Sequence, residues 1–435
     1  MPTFCRWRSP SGNDLLLVYQ KDYGEDEVLP DGKTVVSINF TGDNHGPHSY
    51  ERVKKIYADL RKRYPQAQLV GASFNDVARE LLLIKKDLPV VTSEIGDTWI
   101  FGYGGAPIRM AKFRAVSRLY SQWLNEGKIK KDSDVALDFA AELGLIAEHT
   151  QGVDVKTHLR QWDKYDMDKF LKGRSEGIFS MAEASWKEID NYIDSAIAFL
   201  PASLQKEARE VVAEVDKVKL EDNSKMKPME RKRWEQPIAG GMTLAGLSYQ
   251  MFDGDDYDDF QNRYLRARYG WALDDLGKRG LKESHAVSVT LYAQTMAQSV
   301  RKEKKGTRII TELRFPENEK VDKRVYPERI QVNCFTTKNG KRSEVALTIY
   351  GKPAVRLPES YWLSFTVPGI ESVIAEKMGE RVDLMDVVEK GNRQMHGIDR
   401  YVDLITSGET IRISSKGSFL TQRRRSSGVE LFNQL

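Results

Sequence analysis

Thr34-Val35-Val36-Ser37-Ile38-Asn39-Phe40 is an apolar, β-rich run that empties into a polar turn, Thr41-Gly42-Asp43-Asn44-His45-Gly46-Pro47. A short apolar run bounded by turn residues has the character of a buried parallel strand. Working outward, Leu15-Leu16-Leu17-Val18-Tyr19, Gln68-Leu69-Val70 and Pro89-Val90-Val91 read the same way. Between them Val53, Ile56 and Leu60 recur at helical spacing, with Ser49 placed as N-cap ahead of Glu51, and residues 74–83 read as a second helix. Strand, helix, strand, helix, strand is half of a doubly wound sheet or of a β/α barrel. In either architecture ligands gather at the carboxyl ends of the strands, and Asp43 and Glu94 both fall just past such ends.

Beyond this α/β segment, expected over residues 1–106, the period changes. Phe113, Val116, Tyr120 and Trp123 mark one helix, Val135, Phe139, Leu143 and Ile146 another, and Trp186, Ile189, Ile193 and Ile197 a third. Pro107 suits a helix start and Pro201 a stop, so residues 107–215 read as a helical bundle. A Lys-, Glu-, Asp- and Met-rich stretch at 216–236 reads as a linker. From 237 to 435 the pattern is mostly β. Ile330, Val332 and Cys334 alternate with polar neighbours, as do Val345, Leu347 and Ile349, with Asn339-Gly340 as a hairpin turn between them. Trp362-Leu363-Ser364-Phe365 and Thr410-Ile411-Arg412-Ile413 add strands, and the whole suggests an antiparallel β-sandwich.

At 435 residues two or three domains are expected. The 67 basic and 63 acidic side chains leave a net charge of +4, too balanced to imply a nucleic acid or a membrane as partner. The basic runs at 301–305 and 423–425 read as solvated loops. Cys5 and Cys334, the two cysteines, make neither a disulfide framework nor a CxxC metal pair. Met1-Pro2-Thr3-Phe4-Cys5-Arg6 has no apolar signal-like stretch, and no window nears the ~20 apolar residues of a membrane helix. An intracellular location is the default expectation.

Three polar clusters carry the chemistry. Asp43 sits between Gly42 and Gly46-Pro47, where its carboxylate serves as an acid/base or sugar-hydroxyl acceptor, or else bonds its own backbone in an Asx turn. In Ser93-Glu94-Ile95-Gly96-Asp97-Thr98-Trp99 two carboxylates flank a glycine and precede aromatics. Carbohydrate sites use that mixture, carboxylates for hydroxyls and rings for the apolar sugar face. A helix-start carboxylate beside core aromatics would look alike. In Glu148-His149-Thr150-Gln151-Gly152-Val153-Asp154 the imidazole of His149 is a candidate zinc ligand with a carboxylate near enough to hold its second nitrogen, or a helix-end cap. No cluster holds a complete catalytic set.

Taken in chain order, the clusters resemble glycoside hydrolase family 38, the α-mannosidases, and more closely a branch labelled a domain of unknown function. Residues 41–47 look like the family's Gly-Asp-Gly-rich-Pro segment. Residues 93–99, running into Arg114 and Arg118, sit where mannosidases have Gly-Glu-Leu followed by an aromatic and basic stretch. Residues 148–154 sit where they have a His-Asp-Ala-Ile-Thr-Gly-Thr-like segment whose histidine ligates zinc. The closer branch is matched by Glu148-His149-Thr150 through Asp154-Val155-Lys156-Thr157-His158-Leu159, by Leu357-Pro358-Glu359-Ser360-Tyr361-Trp362-Leu363-Ser364-Phe365 and by Gly391-Asn392-Arg393-Gln394-Met395-His396. The resemblance runs over nearly the whole chain.

It implies a multidomain α/β, α and β fold: a partial β/α barrel-like domain, a helical bundle, then an antiparallel β-sandwich. It also implies zinc-dependent, retaining cleavage of a glycoside, with His149 as metal ligand, Asp43 as catalytic carboxylate, and Glu94, Asp97 and Trp99 lining the sugar subsite. The family's first zinc motif, a His-x-Asp, and its nucleophilic aspartate have no counterpart here, and Asn44 and His45 replace glycines. With one zinc ligand of four and one carboxylate of two, the expectation is a glycosidase-lineage protein that is incomplete and inactive alone. The alternative is a non-catalytic carbohydrate-binding or scaffold protein derived from that family.

Overall fold

The computed structural model describes residues 1–20, 24–42, 45–96, 101–148, 151–159, 161–230, 235–265, 268–418, 420–424 and 428–434. It divides into two compact units, Met1–Ile95 with Asp386–Glu389, and Gly96–Met385 with Lys390–Leu435.

In the first unit, Ser9-Pro10-Ser11-Gly12-Asn13 turns the chain back on itself. Gly12 takes the positive φ of 90° and donates to the Ser9 carbonyl at 2.9 Å. The strands Phe4–Arg8 and Asp14–Val18 therefore pair antiparallel, Phe4 opposite Val18 and Arg8 opposite Asp14. A second turn, Pro30-Asp31-Gly32-Lys33, is pinned by the Asp31 carboxylate, which accepts from the Lys33 and Thr34 amides at 2.8 and 3.0 Å. It joins Asp26–Val28 to Val35–Ser37, again antiparallel. The runs at 15–19 and 34–40, expected as buried parallel strands of a barrel-like sheet, are thus half-buried hairpin arms. The reason is connection length: a turn of four or five residues closes an antiparallel pair, whereas a parallel pair needs a crossover of a dozen or more. Residues 68–70 form no strand. One parallel pair is present, Phe4–Arg8 beside Val90–Val91, and no closed barrel forms among the described residues.

The helices of this unit start where the sequence places them. Ser49 caps Tyr50–Arg63 by accepting from the Arg52 amide at 3.2 Å, and Ser73 with Asp76 makes a reciprocal capping box on Phe74–Leu83. The apolar core is small: Phe4, Leu29, Val36, Leu81 and Leu88.

The second unit opens with helices. Pro107–Asn125 starts on its proline, Asp134–Gly144 is capped by Ser133, and Ser180–Ala198 and Ala202–Asp216 are separated by Pro201, which ends one and starts the next. Their apolar stripes meet around Trp123, Phe139, Ile146 and Ile197, all fully buried. The Trp123 indole N–H donates to Glu207 Oε2 at 2.9 Å, which satisfies its one donor.

Past residue 226 the unit is strand-rich, with three antiparallel sheets among the described residues. One runs, in spatial order, Ser343–Tyr350, Arg329–Thr337, Gly306–Arg314, Gln294–Glu303 and Lys227–Pro228. A second runs His396–Gly397, Leu420–Arg424, Gly428–Gln434, Glu359–Thr366, Thr243–Met251 and Gln236–Pro237, with Val289–Tyr292 also on Thr243–Met251. A third runs Glu380–Asp383, Ile370–Lys377, Tyr401–Thr406 and Thr410–Ser414. All three contribute to one apolar cluster that includes Leu247, Tyr249, Val332, Phe365, Val373 and Leu404. Asn339-Gly340 is the expected turn, with Gly340 at φ 65°. No helix among the described residues is long and apolar enough to cross a membrane.

Three carboxylates are buried among the described residues of this region, Glu359, Glu376 and Asp403, and cations meet the first and the last. Glu359, 1% exposed, receives Lys352 Nζ at 2.7 Å and the Tyr249 hydroxyl. Burial pushes its carboxyl up, against the opposing pull of Lys352 and Tyr249. Lys352→Met, which strands that carboxylate, is expected to cost about 3–5 kcal/mol in urea unfolding. Adding Glu359→Met should recover most of the loss.

Asp403, fully buried, is gripped by Arg412 Nε and Nη2 at 2.7 and 2.9 Å and by Arg381. Burial would raise this carboxyl, but the Arg412 and Arg381 hydrogen bonds outweigh it and hold the carboxyl below its usual range. Its contribution is then complete above the unfolded carboxylate value of about 4. It drains away as pH falls through the lower folded value. Asp403→Asn should cost about 2 kcal/mol at pH 7 and lose less stability than the parent between pH 4 and pH 2, read from urea midpoints.

Candidate functional site

Of the residues singled out by sequence, Asp43, Asp97, Trp99 and His149 lie outside the described residues. Glu94 is half-buried just past Val90–Val91, as expected. Its amide donates to the Asp386 carbonyl at 2.9 Å and its carbonyl accepts from the Val388 amide at 2.8 Å, which makes a parallel bridge to Val387. Ser93 Oγ donates to Asp386 Oδ1 at 2.5 Å beside it. Glu94 thus sits at a main-chain junction.

The third cluster is a built loop. The Gln151 carbonyl accepts from the Trp186 indole at 2.8 Å, the Val153 amide donates to Ser185 Oγ at 3.1 Å, and Arg109 reaches Asp190 at 2.6 Å and Gln151 at 3.4 Å. Asp154 accepts from the Thr157 hydroxyl at 2.7 Å at the start of the short helix Val155–His158. Among the described residues no group of three or more histidine, cysteine, aspartate or glutamate side chains is placed to hold a metal ion. The zinc implied by the resemblance is tied to His149, which lies outside the described residues.

Arg114, the first arginine of the basic stretch, does not face an open site. Arg114 is 6% exposed and donates to the carbonyls of Ser418 at 2.7 Å, Ser415 at 3.2 Å, Gly417 at 3.3 Å and Asp399. Burial, then the nearby charge of Arg118, brings its guanidinium down to about 10.

An open groove of about 270 Å³ lies elsewhere, on the face of the second sheet that points away from Leu247 and Tyr249. Direct cross-strand pairing fixes its floor. Trp362 is opposite Ser248, and Ser248 is opposite Tyr292, so the three share one face and one row. Gln250 and Thr290 pair on one side of that row. Ser364 and Gly246 pair on the other, and Gln422 continues that line through Glu430. Trp362 packs one side against Met110, Met395 and Leu420 and turns the other to the groove. Tyr292 is 67% exposed. Among the described residues, the side chains of Ser248, Gln250, Thr290 and Tyr292 are committed to no protein hydrogen bond. Among the described side chains that line the groove none is charged, and strand pairing sets Glu430 in its line between Ser364 and Gln422.

This arrangement offers aromatic surface and neutral groups that both donate and accept, the chemistry that suits a hydroxyl-rich ligand. It was missed in the sequence, although Ser360-Trp362-Ser364 alternating against Tyr361 and Phe365 is a readable signal of a polar, aromatic outer face. The pairing partners that complete the groove come from strands well separated from it in sequence, Thr243–Met251, Val289–Tyr292 and Leu420–Arg424.

Gly152 is the point where the third cluster is most constrained. Its φ is 109°, and a Cβ there would meet Ser185 Oγ and the Trp186 ring at 2.7–2.8 Å. Gly152→Ala is expected to cost about 3 kcal/mol from backbone strain and overlap together, seen as a lower urea midpoint with unchanged slope.

Residues 104–235 match the family described as a domain of unknown function, DUF5054. The matched segment takes in the helices from Pro107–Asn125 to Ala202–Asp216 and ends before the strand Thr243–Met251. No curated protein and no solved structure matches the chain.

Proposed function

We propose that this chain is a carbohydrate-binding protein of glycosidase lineage, non-catalytic on its own, which holds a sugar in the sheet-face groove. The observation that carries this reading is the row Trp362, Ser248, Tyr292, flanked on both sides by amides and hydroxyls. A pyranose has an apolar C–H face and an equatorial rim of hydroxyls. An aromatic ring covers the first, and Gln, Ser and Thr match the second because each group both gives and accepts hydrogen bonds.

On this reading the strand-rich region is a β-sandwich whose outer face does the binding. Asp43, Glu94, Asp97, Trp99 and His149 then belong to the hydrolase resemblance, and zinc at His149 is not needed for recognition. Hydrolysis by the retaining route would need two carboxylates about 5 Å apart.

The test is isothermal titration of the purified chain with neutral oligosaccharides, beside Trp362→Ala and Tyr292→Ala. Each loss should weaken binding about tenfold, the worth of one stacked ring. Trp362 also packs against Met110 and Leu420, so Tyr292→Ala, at an exposed position, is the variant that separates binding from folding. Saccharide binding that neither substitution changes would overturn the assignment to this groove.

A further inference from the structure

Charge balance over the whole chain conceals a local excess. The strands Gln294–Glu303 and Gly306–Arg314 are joined by a two-residue turn, Lys304-Lys305. The strands Arg329–Thr337 and Ser343–Tyr350 are joined by Lys338-Asn339-Gly340-Lys341-Arg342. All four strands are neighbours in one antiparallel sheet, and Gly306 pairs with Thr337, so both turns lie at the same end of it.

The two turns are built against each other. Gly306 lets them approach, since a Cβ there would run into the Thr336 carbonyl and the Phe335 ring. The Lys338 amide then donates to the Lys305 carbonyl at 3.1 Å, which ties one turn to the other. Within the second turn the Asn339 side-chain oxygen accepts from the Lys341 amide at 3.1 Å and from the Thr337 hydroxyl at 2.8 Å.

The arginines at this end are already engaged. Arg301 and Arg308 share Glu303 at 2.9 and 2.7 Å, and Arg342 takes Glu344 at 2.8 Å. The lysines are not. Lys302, Lys304, Lys305, Lys338 and Lys341 are exposed, and among the described residues none of them has an ion pair or a side-chain hydrogen bond. Four neighbouring strands span about 14 Å. The lysines therefore lie within about two Debye lengths of one another at physiological salt, and their fields add. That concentration of one sign sets up repulsion and gains no contact within the fold.

The chemistry selects the partner. Among the described residues no large apolar side chain is exposed at this end, so nothing there inserts into hydrocarbon or stacks on a base. The guanidinium groups that would fork onto a single phosphate or sulfate are held by carboxylates. What remains is a set of compact ammonium charges on long stems, spread over two turns at a projecting sheet end with no cleft between them. A broad, dense negative surface meets all of them at once, whereas a single polyanionic strand would track past only some. A bilayer rich in acidic headgroups is such a surface, and basic clusters of this size bind it through charge.

Independently of the carbohydrate reading, we infer that this sheet end docks on the surface of an anionic phospholipid bilayer, with Lys302, Lys304, Lys305, Lys338 and Lys341 against the headgroups.

The experiment is co-sedimentation of the full chain with phosphatidylcholine vesicles, with and without about one-third phosphatidylserine, at about 0.1 M salt. Binding is expected to the acidic vesicles alone, and should fall at least tenfold at about 0.5 M salt. Lys304→Gln with Lys305→Gln should weaken it about twentyfold, the combined effect of two lysines near the surface. Adding Lys338→Gln and Lys341→Gln should abolish it, while circular dichroism and the urea midpoint do not fall. Lys130→Gln with Lys131→Gln removes the same charge from an exposed pair ahead of the helix Asp134–Gly144 and should leave binding within twofold. Vesicle binding that survives the four substitutions, or that the Lys130 and Lys131 pair weakens equally, overturns the inference. Absence of binding to acidic vesicles also overturns it, and retention on heparin or duplex DNA at the same salt would then assign these lysines to a polyanionic chain.

Discussion

A guanidinium that has lost its water must find protein oxygens for its five N–H donors. Arg114 finds four, all main-chain carbonyls, in the segment from Asp399 to Ser418. Main-chain carbonyls cannot move independently of the backbone, so this one side chain holds the helix Pro107–Asn125 against a defined stretch of the strand-rich region. The sheet face above it follows. Met110 and Phe113, on the same helix, pack with Leu420 and Trp362, and Trp362 is thereby fixed with one side covered and the other open. Lysine would keep the charge but cannot fork to several carbonyls, which is why the two are not interchangeable at such a position.

The buried ion pairs play a different part. Glu359 lies at the start of the strand that carries Trp362, and its partners Lys352 and Tyr249 come from a loop and from the neighbouring strand. Tyr249 in turn packs with Phe315, Tyr326 and Tyr361. A carboxylate in such a place adds little net stability over a well-packed apolar group. It does penalise any slip of the Glu359–Thr366 strand, because a slip would leave the charge buried without its cation. The inner face of this sheet is thus held in register by polarity as well as by packing.

Local signals were legible in the sequence and long-range ones were not. Caps at Ser49 and Ser133, the proline starts and the Asn339-Gly340 turn depend on residues within a few positions of each other, and all appear as the chemistry requires. Apolar runs such as 15–19 and 34–40 have the look of parallel strands only where both faces are buried. Leu15 is instead exposed and Val36 is buried, a one-sided pattern that belongs to hairpins. The groove was the harder case. Trp362, Tyr292, Gln250 and Gln422 are scattered over 173 positions, and only strand pairing brings them to one face. Charged and histidine-bearing motifs declare their chemistry in the sequence, whereas neutral side chains on an outer face carry no motif.

The strand Thr243–Met251 has a feature with a bearing on how the chain can change over generations. Its pairing with Glu359–Thr366 is regular from Met251 back to Gly246 and then skips, so that Ala245 is an extra residue between the partners of Ser364 and Phe365. On the regular side, Leu247, Tyr249 and Met251 build the core while Gly246, Ser248 and Gln250 build the groove, on alternate letters of the same line. Substitution can therefore tune the ligand one letter at a time without touching the interior. Insertion or deletion cannot, since a shift of one letter would put serine and glutamine inside and leucine and tyrosine outside. The looped-out residue at 245 is the one place where such a frameshift in space can be absorbed. Descendants of this chain should vary freely in the groove and hold their spacing from 246 to 251 fixed.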